Sequence, residues 1–107
     1  MQSARQKPGR IDHVAIQVKD VQRAIDWYST HFQTEILYRD DSWALLRFAN
    51  INLALVIPEQ HPPHVAVSCL DADSFGTLTT HRDGTRSIYI QDSEGNAVEI
   101  MAADEVD

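Results

Sequence analysis

The chain is poor in cysteine, glycine, proline and aromatic residues. Its 107 residues include one cysteine, Cys69, four glycines and four prolines, and aromatic residues make up 7%. A single cysteine forms no internal disulfide, which excludes a secreted scaffold held by disulfides. Apolar residues at 43% and charged residues at 23% are typical of one folded globular domain and not of a disordered or fibrous chain.

Basic charge and long apolar runs are scarce as well. Nine Lys+Arg stand against sixteen Asp+Glu, which gives a net charge of −7. A surface that follows phosphates needs the opposite sign, so we expect no nucleic-acid partner. No apolar run approaches the roughly 20 residues of a membrane span, so we expect no membrane partner either. The first ten residues lack the apolar stretch of a secretory signal, from which we expect a cytoplasmic protein.

A short repeat divides the chain into two similar parts. The segment HVAI at residues 13–16 recurs as HVAV at residues 64–67. Each copy is followed by an aspartate, Asp20 or Asp71, and then by a possible helix. A repeat with the same following pattern indicates a duplicated half-domain. We therefore predict one domain over 1–107, with a first module at about 11–58 and a second at about 64–101.

The periodicity of apolar residues predicts the elements of each module. In the first module a strand at 11–18 precedes a helix, and three strands follow at 35–38, 43–48 and 51–57. The second module is shorter, with strands at 64–69, 87–91 and 96–101 and a weak helical pattern after Asp71. We assign the shortening to the first strand after that helix. The predicted class is α+β, two βαβββ modules of which the second is shortened.

Alternation along the strands places polar side chains on one face of the sheet. In four strands the residues opposite the apolar set are small or polar, and they include His13, His64 and Glu99. Removing a carboxylate from water costs several kcal/mol unless a cation or strong donors compensate. Imidazole and carboxylate side chains from separate strands are ligands that a divalent transition metal accepts.

Two segments carry a resemblance to a known family. The opening IDHVAI at 11–16 with AIDWY at 24–28, and the ending YIQDSEGNAVEI at 89–100, resemble the first strand, first helix and last hairpin of the vicinal oxygen chelate superfamily. This superfamily includes glyoxalases, bleomycin resistance proteins and extradiol dioxygenases. The resemblance covers residues 11–101. It implies a curled mixed sheet around a cavity with helices on the outer face, a small-molecule substrate and a homodimer.

The resemblance also implies the roles of individual residues. The metal ligands fall on His13, His64 and Glu99, which would hold one divalent transition metal, either Fe, Mn, Ni or Zn. Ala54 stands where many members have a fourth ligand, which favours a three-ligand site. The strand pattern, and not the resemblance, adds Tyr89 to Glu99 as a candidate catalytic residue. The candidate substrate-binding residues on or near the cavity face are Gln17, Arg47, Asn52, Ser68 and Gln91.

Two functions from different classes fit these observations. The first is a metal-dependent enzyme that chelates its substrate through two oxygens, either a glyoxalase-like lyase or isomerase, a ring-cleaving dioxygenase, or an enzyme adding a thiol to an epoxide. The alternative is a non-catalytic small-molecule binding or resistance protein of the bleomycin-resistance type. A structural dimerisation module would leave the polar sheet face unexplained.

The other histidines and the cysteine are expected to play no part in the site. We place His31 and His81 near helix ends, where a cation complements the helix dipole. His61 lies in a proline-rich linker, where we expect it to be solvated. Cys69 follows an apolar run and is expected to be a small core residue.

Overall fold

The computed structural model describes residues 9–103, in which eight strands form one sheet. The first half of the chain comprises β1 Arg10–Gln17, α1 Val21–His31, β2 Glu35–Arg39, β3 Trp43–Arg47 and β4 Asn52–Val56. The second half comprises β5 His64–Cys69, a 3-10 helix Ala72–Phe75, β6 Thr79–Thr80, β7 Arg86–Gln91 and β8 Ala97–Ala102. Most of the N-terminal segment used above to argue against a secretory signal, residues 1–8, lies outside the described residues.

The strands lie in the order β2-β3-β4-β1-β5-β8-β7-β6. The β1–β4 and β5–β8 pairs are parallel and the others are antiparallel, so the sheet is mixed. The sheet is curled, and Arg82 after β6 reaches the turn between β2 and β3 at its other end. Its Nη1 lies 2.9 Å from Asp40 Oδ2, and its Nη2 donates to Ser42 Oγ at 2.7 Å. The predicted α+β class with a curled mixed sheet is confirmed.

Helix α1 covers the outer face of the first half. Asp20 begins the helix by accepting a hydrogen bond from the backbone N–H of Arg23 at 2.9 Å, as its sequence position predicts. Val21 and Ile25 are buried against β3 and β4, in a core that also contains Ala44, Leu46 and Leu55. This packing fixes which face of the sheet points outward and therefore which face lines the inside.

The second half has a 3-10 helix where a second α-helix was predicted. Only Ala72 of this segment is buried, whereas Phe75 is 45% exposed, so it has no apolar stripe to pack on the sheet. Asp71 makes no side-chain cap hydrogen bond. The assignment of the shortening to a missing strand is also wrong, because that strand is present as the two-residue β6. An α-helix thus covers the outer face in the first half, whereas in the second half the short 3-10 helix contacts β7 and β8.

The repeated HVA segments pair with each other in a reciprocal register. Along the antiparallel β1–β5 pair His13 lies opposite Ala66, and Ala15 lies opposite His64. The parallel neighbours continue the pattern, since Ala15 lies beside Ala54 of β4 and Ala66 lies beside Glu99 of β8. The two halves are therefore related by an approximate two-fold axis. Ala54 and Glu99 occupy equivalent positions about that axis.

Two expectations from the sequence concern the surface of the protein, namely that it has no membrane partner and that it forms a homodimer. Within residues 9–103, no helix combines the length and the apolar character needed to cross a bilayer. On the outer face of β5, Val65 is 38% exposed. The homodimer expected from the sequence stays a prediction.

Gly76, directly after the 3-10 helix, has a conformation that requires glycine. Its φ is +142°, and a Cβ atom there would lie 2.5 Å from Ile88 Cδ1. We expect Gly76→Ala to lower the free energy of unfolding by about 1–3 kcal/mol, measured by urea denaturation. Gly9→Ala is the matched control and should be neutral, because a Cβ at Gly9 meets nothing within 4 Å. Equal stability of the two variants would contradict this expectation.

Candidate functional site

Three polar side chains from three neighbouring strands meet inside the curl of the sheet. His13 of β1, His64 of β5 and Glu99 of β8 are 8%, 6% and 4% exposed. The two Nε2 atoms lie 3.3 Å apart. Glu99 Oε1 lies 3.2 Å from the Nε2 of His13 and 3.0 Å from the Nε2 of His64. The sequence prediction brought these three residues together, and in the structure their tips converge on one point.

The strand register explains why the three side chains can meet. His13, Ala66 and Glu99 form one row across β1, β5 and β8. Adjacent strands are about 4.8 Å apart, so His13 and Glu99 start roughly 10 Å apart at their backbones. Ala66 is fully buried between them, and its methyl group leaves room for the imidazole and the carboxylate to lean together.

The outer nitrogen of each imidazole is held by a hydrogen-bond acceptor. His13 Nδ1 lies 2.8 Å from Asp12 Oδ2, and His64 Nδ1 lies 2.8 Å from the carbonyl oxygen of Pro62. A carboxylate and a carbonyl oxygen accept hydrogen bonds, so each Nδ1 carries a proton and donates it. In the neutral tautomer each Nε2 therefore presents a lone pair toward Glu99 Oε1.

The pKa values of His13 and Glu99 respond to this arrangement. Burial disfavours the charged form of His13, but the hydrogen bonds to Asp12 and Glu99 outweigh it and raise the pKa of His13 to about 9. Burial also disfavours the Glu99 carboxylate, yet hydrogen bonds from His13, His64 and Ser87 hold its pKa well below the usual range. Glu99 is therefore ionised at neutral pH, and positive charge is drawn to the point where the three tips meet.

A cavity of about 300 Å³ opens beside the three residues, and its two walls differ in character. The wall from the first half is mostly apolar, while the wall from the second half is polar. The apolar side chains are Trp43, Leu45, Ala54 and Val56, with Met101 from β8. The polar lining comprises Asp12, His13, Asn52, Gln60, His61, His64, His81, Arg82, Asp83, Thr85, Tyr89 and Glu99.

Tyr89 lies within the cavity beside the three convergent residues, as its candidate catalytic role requires. Its hydroxyl is 3.4 Å from His64 Nε2, and its ring stacks on that of His61 with centroids 5.3 Å apart. Burial, followed by the negative charge of Glu99, raises the pKa of Tyr89 well above its usual value. Tyr89 therefore keeps its proton at neutral pH.

His61 also contributes to the lining of the cavity and is not a fully solvated linker residue, as was expected from the sequence. Its burial lowers the pKa of the imidazole.

Two residues that lie against Glu99 were missed in the sequence. The expectation that His81 lies near a helix end is wrong, because it follows β6 and its Nε2 lies 2.6 Å from Ser87 Oγ. Ser87 is 1% exposed, and its hydroxyl donates to Glu99 Oε2 at 2.6 Å. Strand alternation places Ser87 on the same face as Tyr89, a signal that could have identified it. His81 lies in a connection, where no periodicity applies.

Of the five candidate substrate-binding residues, the structure brings only Asn52 to this cavity. Asn52 lies beside His13 in the β1–β4 register. Gln17 donates to the carbonyl oxygen of His61 at 3.1 Å, and Arg47 pairs with Glu35 at the surface. Ser68 lines a separate depression that also contains Arg47, and Gln91 is exposed at the end of β7. These side chains lie on the cavity face but toward the strand ends.

The remaining residues discussed in the sequence lie away from the cavity. His31 ends α1, where its Nδ1 lies 2.8 Å from the carbonyl oxygen of Trp27. Trp27 is 52% exposed and stacks on the His31 ring. Cys69 is half-buried at the end of β5, and burial raises the pKa of its thiol.

Structures of similar shape exist at low sequence identity. A methylmalonyl-CoA epimerase from Streptomyces coelicolor, in complex with 2-nitronate-propionyl-CoA, is 17% identical with a TM-score of 0.74, over 91% of this chain and 99% of that one. A hypothetical protein from Bacillus halodurans is 16% identical with a TM-score of 0.71, over 92% and 97%. A glyoxalase/bleomycin resistance protein/dioxygenase superfamily member from Vibrio splendidus is 11% identical with a TM-score of 0.65, over 90% and 100%. At these identities the likeness shows a shared fold.

Sequence similarity extends over more than half of the chain. No curated protein matches it. The family described as the Glyoxalase/Bleomycin resistance protein/Dioxygenase superfamily matches residues 10–76, from β1 into the segment after the 3-10 helix. Together with the shared fold, this match places the protein in a known family: the chain belongs to the glyoxalase/bleomycin resistance protein/dioxygenase superfamily.

Proposed function

We propose that the protein is an enzyme dependent on one divalent transition metal, held by His13, His64 and Glu99, that acts on a small molecule bound through two oxygens. The observation that carries this proposal is the convergence of three acceptor atoms, two imidazole Nε2 and one carboxylate oxygen, in a buried position. Lone pairs and a negative charge facing one another at this distance repel unless protons or a cation lie between them.

The spacing of the acceptor atoms fits one shared metal ion. Atoms that bind one ion at about 2.1 Å lie roughly 2.9–3.4 Å apart at octahedral or tetrahedral angles. The three distances here are 3.0, 3.2 and 3.3 Å. The outer hydrogen bonds from His13 to Asp12 and from His64 to Pro62 are of the kind that fixes the tautomer of metal-binding histidines.

The ligand types restrict the metal and the chemistry. Two imidazoles and one carboxylate suit Fe, Mn, Ni or Zn, and three protein ligands leave coordination positions for water or substrate oxygens. When bound, such an ion would supply Lewis-acid polarisation of substrate oxygens. Isomerisation, lyase chemistry and, with iron(II), ring cleavage fit this arrangement.

The side chains around the three ligands supply binding and proton transfer. Tyr89 keeps its proton at neutral pH because burial and Glu99 raise its pKa, so its hydroxyl can donate to a substrate oxygen or leaving group. Asn52 lies beside His13 in the strand register and lines the cavity, where its neutral amide can hydrogen-bond to a substrate. Glu99 stays ionised as a ligand, and its catalytic role is to keep the negative charge that retains the ion.

The apolar wall supports a substrate that carries an apolar group beside its two oxygens. Trp43 stacks on Tyr38 with ring centroids 4.4 Å apart, which holds the indole in place at the cavity. Leu45, Ala54 and Val56 continue this wall without any side-chain hydrogen-bonding group. The cavity volume of about 300 Å³ suits a ligand of modest size.

A non-catalytic binding protein is the second candidate, and the apolar wall is the observation that favours it. Reconstitution with iron(II), manganese(II), nickel(II) or zinc(II), in the absence of oxygen where needed, followed by a panel of 2-hydroxycarbonyl and catechol compounds, separates the two functions. An enzyme converts at least one compound with at least one metal. A binding protein returns every bound compound unchanged.

Metal content tests the ligand set directly. We expect protein dialysed against zinc(II) to retain about one ion per chain, and His64→Ala and Glu99→Gln each to weaken binding more than about 100-fold, beyond the loss typical for an outer partner. Competition with a chromophoric chelator measures this affinity. His31→Ala, which changes a histidine at the end of α1, should bind as the unaltered protein does. Metal binding that survives both substitutions, or no binding by the unaltered protein, would overturn the proposal.

The metal-free protein should lose stability between pH 6.5 and 9. His13 has a pKa of about 9 in place of 6.5, so its contribution is complete below pH 6.5 and is lost as the pH rises through 9. The lowered pKa of Glu99 stabilises the folded protein fully above pH 4.5, so this contribution to stability does not change between pH 6.5 and 9. Urea unfolding in EDTA at pH 6.5 and 9 measures the difference. His13→Gln should abolish it, and a metal-free protein more stable at pH 9 would contradict the expectation.

The apolar wall should favour chelators that carry an aromatic group. For the zinc-loaded protein, we expect benzohydroxamate to bind roughly 10–50-fold more tightly than acetohydroxamate, because its ring would bury apolar surface against Trp43 and Leu45. Calorimetry measures both affinities. In the Trp27→Phe variant, benzohydroxamate should quench the fluorescence of Trp43, whereas in Trp43→Phe the exposed Trp27 should not respond. Equal affinities for the two hydroxamates would exclude an apolar subsite at this wall.

A further inference from the structure

The two oxygens of the Glu99 carboxylate have different partners. Oε1 faces His13 and His64 at 3.2 and 3.0 Å. Oε2 accepts the hydroxyl hydrogen of Ser87 at 2.6 Å and lies 3.6 Å from His81 Nε2. The carboxylate is therefore held from behind by groups that make no contact at the point where the three tips meet.

The direction of each hydrogen bond in this set follows from the donors available. An ionised carboxylate only accepts, so the single hydroxyl hydrogen of Ser87 points to Glu99. Ser87 Oγ is then free to accept, and His81 Nε2, 2.6 Å away, must carry the proton that fills it. His81 is thus in the Nε2–H form, opposite to the Nδ1–H form of His13 and His64.

The segment that carries His81 is held both by a hydrogen bond within its own turn and by contacts with the opposite end of the sheet. The backbone N–H of His81 donates to the carbonyl oxygen of Thr85 at 2.7 Å, which closes a tight turn before β7. The next residue, Arg82, reaches across to Asp40 and Ser42 on the turn between β2 and β3. The imidazole of His81 is therefore presented to Ser87 from an anchored position.

We propose that Ser87 and His81 are positioning residues that fix the rotation of the Glu99 carboxylate so that Oε1 faces His13 and His64. The terminal torsion of a glutamate is broad and roughly two-fold, so an unsupported carboxylate samples several orientations. The donated hydrogen bond from Ser87 selects one of them, and His81 keeps the Ser87 hydroxyl oriented. The inference rests on the proposed metal site, and its effect is on metal affinity.

Cobalt(II) binding to the full chain tests this inference. We expect Ser87→Ala to weaken binding about 10–100-fold, measured by chelator competition, and to change the visible spectrum of the bound cobalt(II). His81→Ala should weaken binding by less, because Ser87 can still donate. Ser93→Ala is the matched control and should leave affinity and spectrum unchanged, since Ser93 donates to Glu94 on an exposed turn. Thermal unfolding of each metal-free variant shows whether it is folded.

A double-substituted variant separates positioning from a general loss of structure. Because His81 acts through the Ser87 hydroxyl, Ser87→Ala with His81→Ala together should bind no more weakly than Ser87→Ala alone. Additive losses, or cobalt(II) binding unchanged by Ser87→Ala, would overturn the inference while leaving the metal site intact. If the unaltered protein binds no cobalt(II), zinc(II), nickel(II), manganese(II) or iron(II), the proposed function fails and this inference fails with it. Ser87→Thr retains the hydroxyl and should recover most of the affinity.

Discussion

The structure depends on the meeting of three hydrogen-bond acceptors in a buried position beside the cavity. The Nε2 atoms of His13 and His64 and the Oε1 atom of Glu99 lie within 3.0 to 3.3 Å of one another, and all three residues are buried. Such an arrangement is tolerated only when positive charge lies at its centre. The surrounding features meet this requirement. Asp12 and Pro62 hold the outer nitrogens of the imidazoles, and the sheet closes around the inner ones.

The fold delivers these groups through strand register more than through loops. All three residues lie on neighbouring strands, β1, β5 and β8, so backbone hydrogen bonds set their relative positions. A site carried by strands is held more rigidly than one on loops. Two supporting groups come from connections. The Pro62 carbonyl oxygen holds His64, and His81 lies behind Glu99, where Arg82 fixes the turn to the opposite end of the sheet. The helix contributes at a distance, by fixing which face of the sheet is turned inward.

Much of this site could be predicted from the sequence, and the four candidate substrate-binding residues that lie outside the cavity share one physical cause. Alternation along a strand reports which face a side chain occupies, and Gln17, Arg47, Ser68 and Gln91 do lie on the cavity face of their strands. It does not report where along the strand the curl of the sheet closes. At about 3.3 Å per residue, Gln17 and Ser68 lie four residues, roughly 13 Å, from His13 and His64. Asn52 reaches the cavity because it lies beside His13 in the register.

The second half of the chain was harder to predict for a different reason. A 3-10 helix with one buried residue leaves no periodic pattern, and a strand of two residues is too short to show alternation. His81 follows that strand, so neither its position nor its contact with Ser87 could be derived from spacing. The longer strands β5, β7 and β8, by contrast, lie within one or two residues of their predicted limits. Tertiary contacts decide the short elements, and repeating patterns decide the long ones.

The approximate two-fold axis that relates the halves is chemically broken at one position. In the central rows of the sheet the cavity-facing residues match in type across the axis, His13 with His64 and Ala15 with Ala66. The exception is Ala54, whose counterpart is Glu99. A scaffold of two similar halves offers four related positions for metal-ligand side chains, and this chain has an imidazole or a carboxylate at three of them. At the fourth position Ala54 has only a methyl group, and it lies next to the apolar wall that contains Trp43 and Leu45. The two halves therefore give the cavity two unlike sides, one beginning at Ala54 and the apolar wall and the other carrying the Glu99 carboxylate.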